Sequence, residues 1–216
     1  MPLCLIIAAP NGQPTPEKHI RNAYAAGNSD GWGISYWTGT KVLVRKGFDL
    51  HELVAASRIV EGKPYVLHLR WATAGDKTLN NCHPFKIRKD LYMAHNGVLP
   101  FQPEKGDTKS DTAILADMLR RFSPEHIINS LDNLGSMIGK GNKLAFQFRD
   151  EIHIANEELG YWDEGRWYSN DYYHVDEWAL WTDKYVYDMD SEWEKWLFEE
   201  ENKYERRRNK SFVCGR

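Results

Sequence analysis

Short apolar runs of strand length, cut by turn residues and alternating with stretches of helical period, limit what this chain can fold into more than any other feature. Residues 3–9 are one continuous apolar run stopped by Pro10-Asn11-Gly12, the pattern of a strand buried on both faces. Thr15-Pro16-Glu17 has helix-start chemistry, and Ile20, Ala23 and Tyr24 follow at helical spacing until Gly27-Asn28. Residues 31–37 and 41–47 read as strands of a hairpin closed by Thr38-Gly39-Thr40, and a second helix is expected over 50–59. Two further strands are expected at 64–70 and 91–95. The polar stretch 72–90 between them fits neither period, and long loops of that kind tend to carry function.

Ser110-Asp111-Thr112 opens a helix running to Phe122, and Ser123-Pro124-Glu125 opens another running to Leu134. Residues 144–148 and 151–155 alternate across Arg149-Asp150 as a hairpin, and 166–169 adds a last strand. Residues 191–208 are charge-dense, with Trp193, Trp196, Leu197 and Tyr204 along one stripe of an amphipathic helix. Strands, then helices, then strands again predict an α+β layered sandwich of two mostly antiparallel sheets flanked by helices.

A length of 216 residues with 42% hydrophobic content allows one substantial core. Its 28 basic and 31 acidic residues give a net charge of -3, so no general field draws the molecule to nucleic acid or an anionic membrane. Residues 1–9 lack a basic leader, and no apolar run reaches the ~18 residues a bilayer span needs. Cys4, Cys82 and Cys214 are too few and too scattered for a disulfide framework. The expectation is a cytoplasmic protein that binds neither membrane nor nucleic acid.

Cys4, within an apolar strand, reads by itself as an inert small hydrophobe. Its nearness to the chain start adds a second reading, because as a first residue it would bring its own α-amine, with a reference pKa of ~8, as general base. Arg70, at the end of an apolar strand, is a permanently charged fork suited to a carboxylate, or else half of a structural ion pair. Asn96-Gly97 places a side-chain amide beside an unobstructed backbone N–H, a donor pair for an oxyanion, although the bare dipeptide is more often a turn. Asp111 near a helix start suits a substrate ammonium group or a capping duty. His68, His83 and His95 with Cys82 lack close zinc-finger spacing, so no metal is expected.

Four spaced motifs accompany Cys4: Asp30-Gly31-Trp32-Gly33; His68-Leu69-Arg70-Trp71-Ala72-Thr73-Ala74-Gly75; Asn81-Cys82-His83-Pro84; and His95-Asn96-Gly97 with Ser110-Asp111-Thr112 beyond. In order and spacing they resemble the glutaminase domains of class II glutamine amidotransferases, over roughly residues 4–170, and most of all the short stand-alone members. The resemblance implies a four-layer αββα sandwich of the N-terminal-nucleophile hydrolase type and no cofactor. It implies Cys4 as nucleophile, Asn96 and Gly97 as oxyanion hole, and Arg70 and Asp111 as holders of the glutamine carboxylate and α-amine. It also places Trp71 and Thr73 in the glutamine pocket, with His83, His95 and Trp32 supporting them from behind. Many members carry His where this chain has Ala74.

Most members have the cysteine directly after the initiator methionine, whereas Met1-Pro2-Leu3 precedes it here. The corresponding division is a candidate propeptide at 1–3, removed by self-cleavage, a glutaminase-like domain at 4–189, and a charged helix and tail at 190–216. The implied activity releases ammonia from glutamine through a γ-glutamyl thioester, for an acceptor on a separate synthetase or ligase. Two alternatives stand beside it: a related amidase for another γ-glutamyl or amide substrate, and a non-catalytic binding protein that retains 1–3.

Overall fold

In the computed structural model, residues 4–73, 75–100, 108–171 and 173–174 are described. The helix expected at 191–208 lies outside them. The first sheet joins six strands in the order β3-β2-β4-β1-β10-β9: β1 Leu5–Ala9, β2 Trp32–Trp37, β3 Val42–Gly47, β4 Tyr65–Leu69, β9 Tyr161–Asp163 and β10 Arg166–Tyr168. The second joins β5 Phe85–Arg88, β6 Leu91–Asn96, β7 Lys143–Phe148 and β8 Glu151–Ala155 in sequence order. All the pairings are antiparallel.

β1 is central and buried on both faces, as its unbroken apolar run requires. Ile6 and Ala8 point one way and meet Val66, Trp167, Ala94 and Ala145 in a core between the two sheets. Leu5, Ile7 and Ala9 therefore face the opposite side. There α1 (Glu17–Ala25) and α2 (Leu50–Ile59) pack on each other, and α2 packs on β2 and β3. The outer face of the second sheet is closed by α3 (Asp111–Leu119), α4 (Pro124–Ile128) and α5 (Leu131–Ile138), whose Leu115, Ala116, Ile127, Leu134 and Ile138 join Met93, Leu144 and Phe146. Helix, sheet, sheet and helix layers make the expected αββα sandwich.

Several elements differ from the sequence expectation. The stretch 72–90 contains β5, where Phe85 and Ile87 are buried and Lys86 and Arg88 exposed; four residues were too short a run to show that alternation. β9 was missed for the same reason; it turns into β10 through Glu164 and Gly165, both at positive φ. The expected single helix over 123–134 is two, because Ser130 leaves helical geometry at φ -114°, ψ 19° and lets α5 aim a new buried face inward. Asn129 and Ser130 are weak helix formers whose side chains compete for backbone partners. α3 ends at Leu119, ahead of the expected Phe122. Thr15 does not cap α1; its hydroxyl bonds the Tyr65 hydroxyl at 2.5 Å.

Candidate active site

Antiparallel register brings the chemistry to one edge. Leu5 pairs with Leu69 and Leu69 with Trp32, so Cys4, Arg70 and Gly31, one residue beyond each, gather where β1, β4 and β2 meet the loops. Arg70 N–H donates to Gly31 O at 2.8 Å, and Asp30 N–H to Arg70 O at 3.0 Å. From the facing sheet β6 ends at Asn96, with Gly97 next, and α3 begins at Asp111. A pocket between them is lined by Cys4, Arg70, Trp71, Thr73, His83, His95, Gly97, Ser110, Asp111 and Thr112.

The Cys4 thiol donates to Trp71 O at 3.3 Å and accepts from Trp71 N–H at 3.2 Å. Burial pushes its pKa up to about 11, against the opposing pull of the Trp71 N–H and the Arg70 charge. Near neutral pH the sulfur keeps its proton, so a nucleophilic role needs a base. The Cys4 carbonyl accepts from Asn96 Nδ2 and, at 2.7 Å, from Asn170 Nδ2. Asn96 is fully buried, and its Oδ1 lies 3.5 Å from the Lys143 ammonium, which its register partner in β7 supplies.

Arg70 is buried, with Nη1 donating to Asp76 O at 3.1 Å and Nη2 to Gly75 O at 3.4 Å. That loop is itself tied down: Asp30 accepts from Ala72 N–H at 2.9 Å and pairs with Lys77, while Asn81 donates to Asp76 O and Thr108 O. Asp111 does not cap α3. Ser110 does so, accepting from Ala113 N–H, which leaves the Asp111 carboxylate to accept from Leu99 N–H at 2.9 Å and Thr112 N–H at 2.7 Å. A buried cation and a buried anion thus flank one thiol, a charge pattern matched by the two ends of an α-amino acid.

His95 stands behind Asp111. Asn142 Nδ2 donates to Ile138 O, so its Oδ1 faces His95 Nε2 at 2.9 Å and takes that proton. His95 Nδ1 is then left to accept from the Thr112 hydroxyl at 2.8 Å. His68 Nε2–H donates to His95 O at 3.1 Å, and the His83 ring lies tilted by 36° against that of His68 with centroids 4.0 Å apart. Burial holds all three imidazoles below their usual pKa, His68 down to about 3.

Of the residues expected from sequence, Cys4, Arg70, Trp71, Thr73, His83, His95, Gly97 and Asp111 line the pocket, and Asn96 lies against the Cys4 main chain. Trp32 does not line it: its indole N–H donates to Asp49 O at 2.8 Å and its ring covers Gly47. Ser110, Thr112, Asp30, Asn142, Lys143 and Asn170 were assigned no role from the sequence. Ser110, Thr112 and Asp30 stood inside the quoted motifs, whereas nothing local marked the other three. Among the described residues no histidine, cysteine or acidic cluster has the geometry of a metal site, and no helix is long and apolar enough to cross a membrane.

A profile of the class-II glutamine amidotransferases matches residues 18–149, more than half of the chain. That segment holds Arg70, Asn96, Gly97 and Asp111 but begins after Cys4. A glutamine--fructose-6-phosphate aminotransferase of Streptococcus pneumoniae serotype 4 is 30% identical over 112 residues, 42% of this chain and 18% of that protein. An amidophosphoribosyltransferase of Archaeoglobus fulgidus is 25% identical over 118 residues, 48% of this chain and 26% of that protein. The chain thus matches about a quarter or less of the length of these curated relatives. Among solved structures, one described as the allosteric regulatory enzyme of purine biosynthesis aligns with a TM-score of 0.53 and 25% identity, covering 77% of this chain and 41% of that one.

Proposed function

Because the chain belongs to the class-II glutamine amidotransferases, we propose that it hydrolyses the side-chain amide of glutamine, with Cys4 as nucleophile, and delivers ammonia to an acceptor on a synthetase or ligase partner. One observation carries this reading: Cys4, outside the matched segment, lies in the same pocket as Arg70, Gly97 and Asp111, inside it. Arg70 would take the α-carboxylate and Asp111 the α-ammonium, fixing the carboxamide carbon before the sulfur.

The raised thiol pKa defines what else the reaction needs. With Leu3 attached, the Cys4 nitrogen is an amide and accepts no proton, so the Leu3–Cys4 bond is cleaved first: the thiol attacks the Leu3 carbonyl, the C–N bond breaks as the thiol proton passes to the Cys4 nitrogen, and water hydrolyses the resulting thioester. The freed amine then takes the thiol proton as sulfur attacks the amide carbon. Asn96 and the Gly97 N–H stabilise the oxyanion. Collapse breaks the C–N bond, the amine returns its proton to the departing nitrogen, and ammonia leaves. Water then cleaves the γ-glutamyl thioester to release glutamate and restore the thiol.

The test is glutamine turnover by purified protein whose intact mass shows it beginning at Cys4. Stoichiometric glutamate and ammonia are expected, and Cys4→Ala should release neither. A Cys4-terminated protein that leaves glutamine untouched overturns the proposal.

A further inference from the structure

We infer that Asn170, which follows β10, is a positioning residue for the nucleophile, holding the Cys4 main chain so that Asn96 can turn its amide toward the reaction. The inference rests on the glutaminase reading above, but its geometry stands apart from the matched segment, which ends at residue 149.

β10 continues past its last strand residue as a zipper along β1. Tyr168 pairs with Ile7, Ser169 N–H donates to Ile6 O at 3.0 Å, Ile6 N–H donates to Ser169 Oγ at 2.9 Å, and Asn170 Nδ2 donates to Cys4 O at 2.7 Å. Asn170 is itself anchored, its carbonyl accepting from the Tyr161 hydroxyl at 2.9 Å. The Tyr161 ring stacks with those of Tyr168 and Tyr173, whose own centroids lie 4.2 Å apart. The Asn170 amide thus reaches Cys4 from a backbone held by β1 and by the Tyr161 hydroxyl.

Two carboxamides meet at one carbonyl, those of Asn96 and Asn170. Asn96 Nδ2 carries two N–H donors, and turning the amide toward the oxyanion weakens its bond to the Cys4 carbonyl, which Asn170 goes on holding. With Asn170 in place the carbonyl keeps a donor throughout, and the Cys4 backbone does not shift as charge develops at the sulfur and the substrate oxygen. Asn170 touches no substrate; it acts through Cys4 and Asn96.

The experiment compares Asn170→Ala and the similarly shaped but donorless Asn170→Leu with the parent protein, each verified to begin at Cys4. Both variants should lower kcat for glutamine tenfold or more while leaving KM within twofold, because the carboxylate and ammonium contacts are untouched. As a readout independent of glutamine, the pH midpoint for alkylation of Cys4 by iodoacetamide should move down by about one unit, as a loosened thiol gains water. A folded variant with unchanged kcat and an unchanged alkylation profile overturns the inference. If the parent protein itself is inert to glutamine, the functional reading fails, and the alkylation midpoint alone decides the role of Asn170 by the same criterion.

Discussion

At the residue scale the proposed reaction divides the site into groups that would hold the substrate's charges and groups that would stabilise the oxyanion. Arg70 reaches the pocket with its guanidinium plane fixed by the carbonyls of Gly75 and Asp76. Lysine offers a point charge in place of that fork. Arg70→Lys should therefore reduce kcat/KM for glutamine by about 10- to 100-fold, mostly through KM, which steady-state kinetics will read; the loss corresponds to the ~1.5–3 kcal/mol of hydrogen bonds to a charged group. Asn96→Ala should act on the other parameter, lowering kcat by ~100-fold or more with KM little changed. Undiminished turnover in that variant would remove Asn96 from the oxyanion hole. Both residues were legible in the sequence through their place in the spaced motifs that carry the family resemblance; by itself Arg70 reads also as half of an ion pair and Asn96-Gly97 more often as a turn. Asn170 was not legible, since its partner Cys4 lies 166 positions away.

At the scale of elements, close approach fixes identity more tightly than periodicity. A Cβ on Gly33 of β2 would lie 1.9 Å from His83 O, where the loop crosses the sheet and carries His83 to the pocket. Gly33→Ala should lower the urea midpoint by the equivalent of ~1–3 kcal/mol, the usual cost of overpacking, and displace His83 with it. Gly141→Ala meets nothing within 4 Å and serves as the control, expected within ~0.5 kcal/mol of the parent. The longer elements could be read from pattern because each buries one or two faces over many residues. β5, β9 and the break between α4 and α5 could not, because three or four residues carry too little periodicity.

For the whole molecule, the buried histidines link stability to pH. His68, His83 and His95 are neutral in the folded state, with pKa values depressed by burial, His68 to about 3. The unfolded chain protonates them near their ordinary ~6.5, so below that pH it binds more protons than the folded chain. Stability should hold above pH 6.5 and decline as pH falls from there toward the folded values. At pH 5 the loss from His68 is about 2 kcal/mol, with His83 and His95 adding in the same direction, readable as a lower urea midpoint than at pH 7. Equal midpoints at the two pH values would mean that these imidazoles are hydrated or paired in the folded protein.

The sequence by itself determined the layered α+β architecture through periodicity, and it marked most of the pocket through the order and spacing of the motifs around Arg70, Asn96-Gly97 and Ser110-Asp111, whose local chemistry alone left other duties open. Tertiary structure alone decided which of these meet. Register across β2, β4 and β1 sets Gly31, Arg70 and Cys4 at one edge, and burial of the thiol raises its pKa further above neutral and so increases its dependence on a base. Hydrogen bonds from residues 92 and 166 positions away converge on the Cys4 carbonyl. Such effects arise from distances between residues far apart in sequence, and a linear pattern does not encode distance.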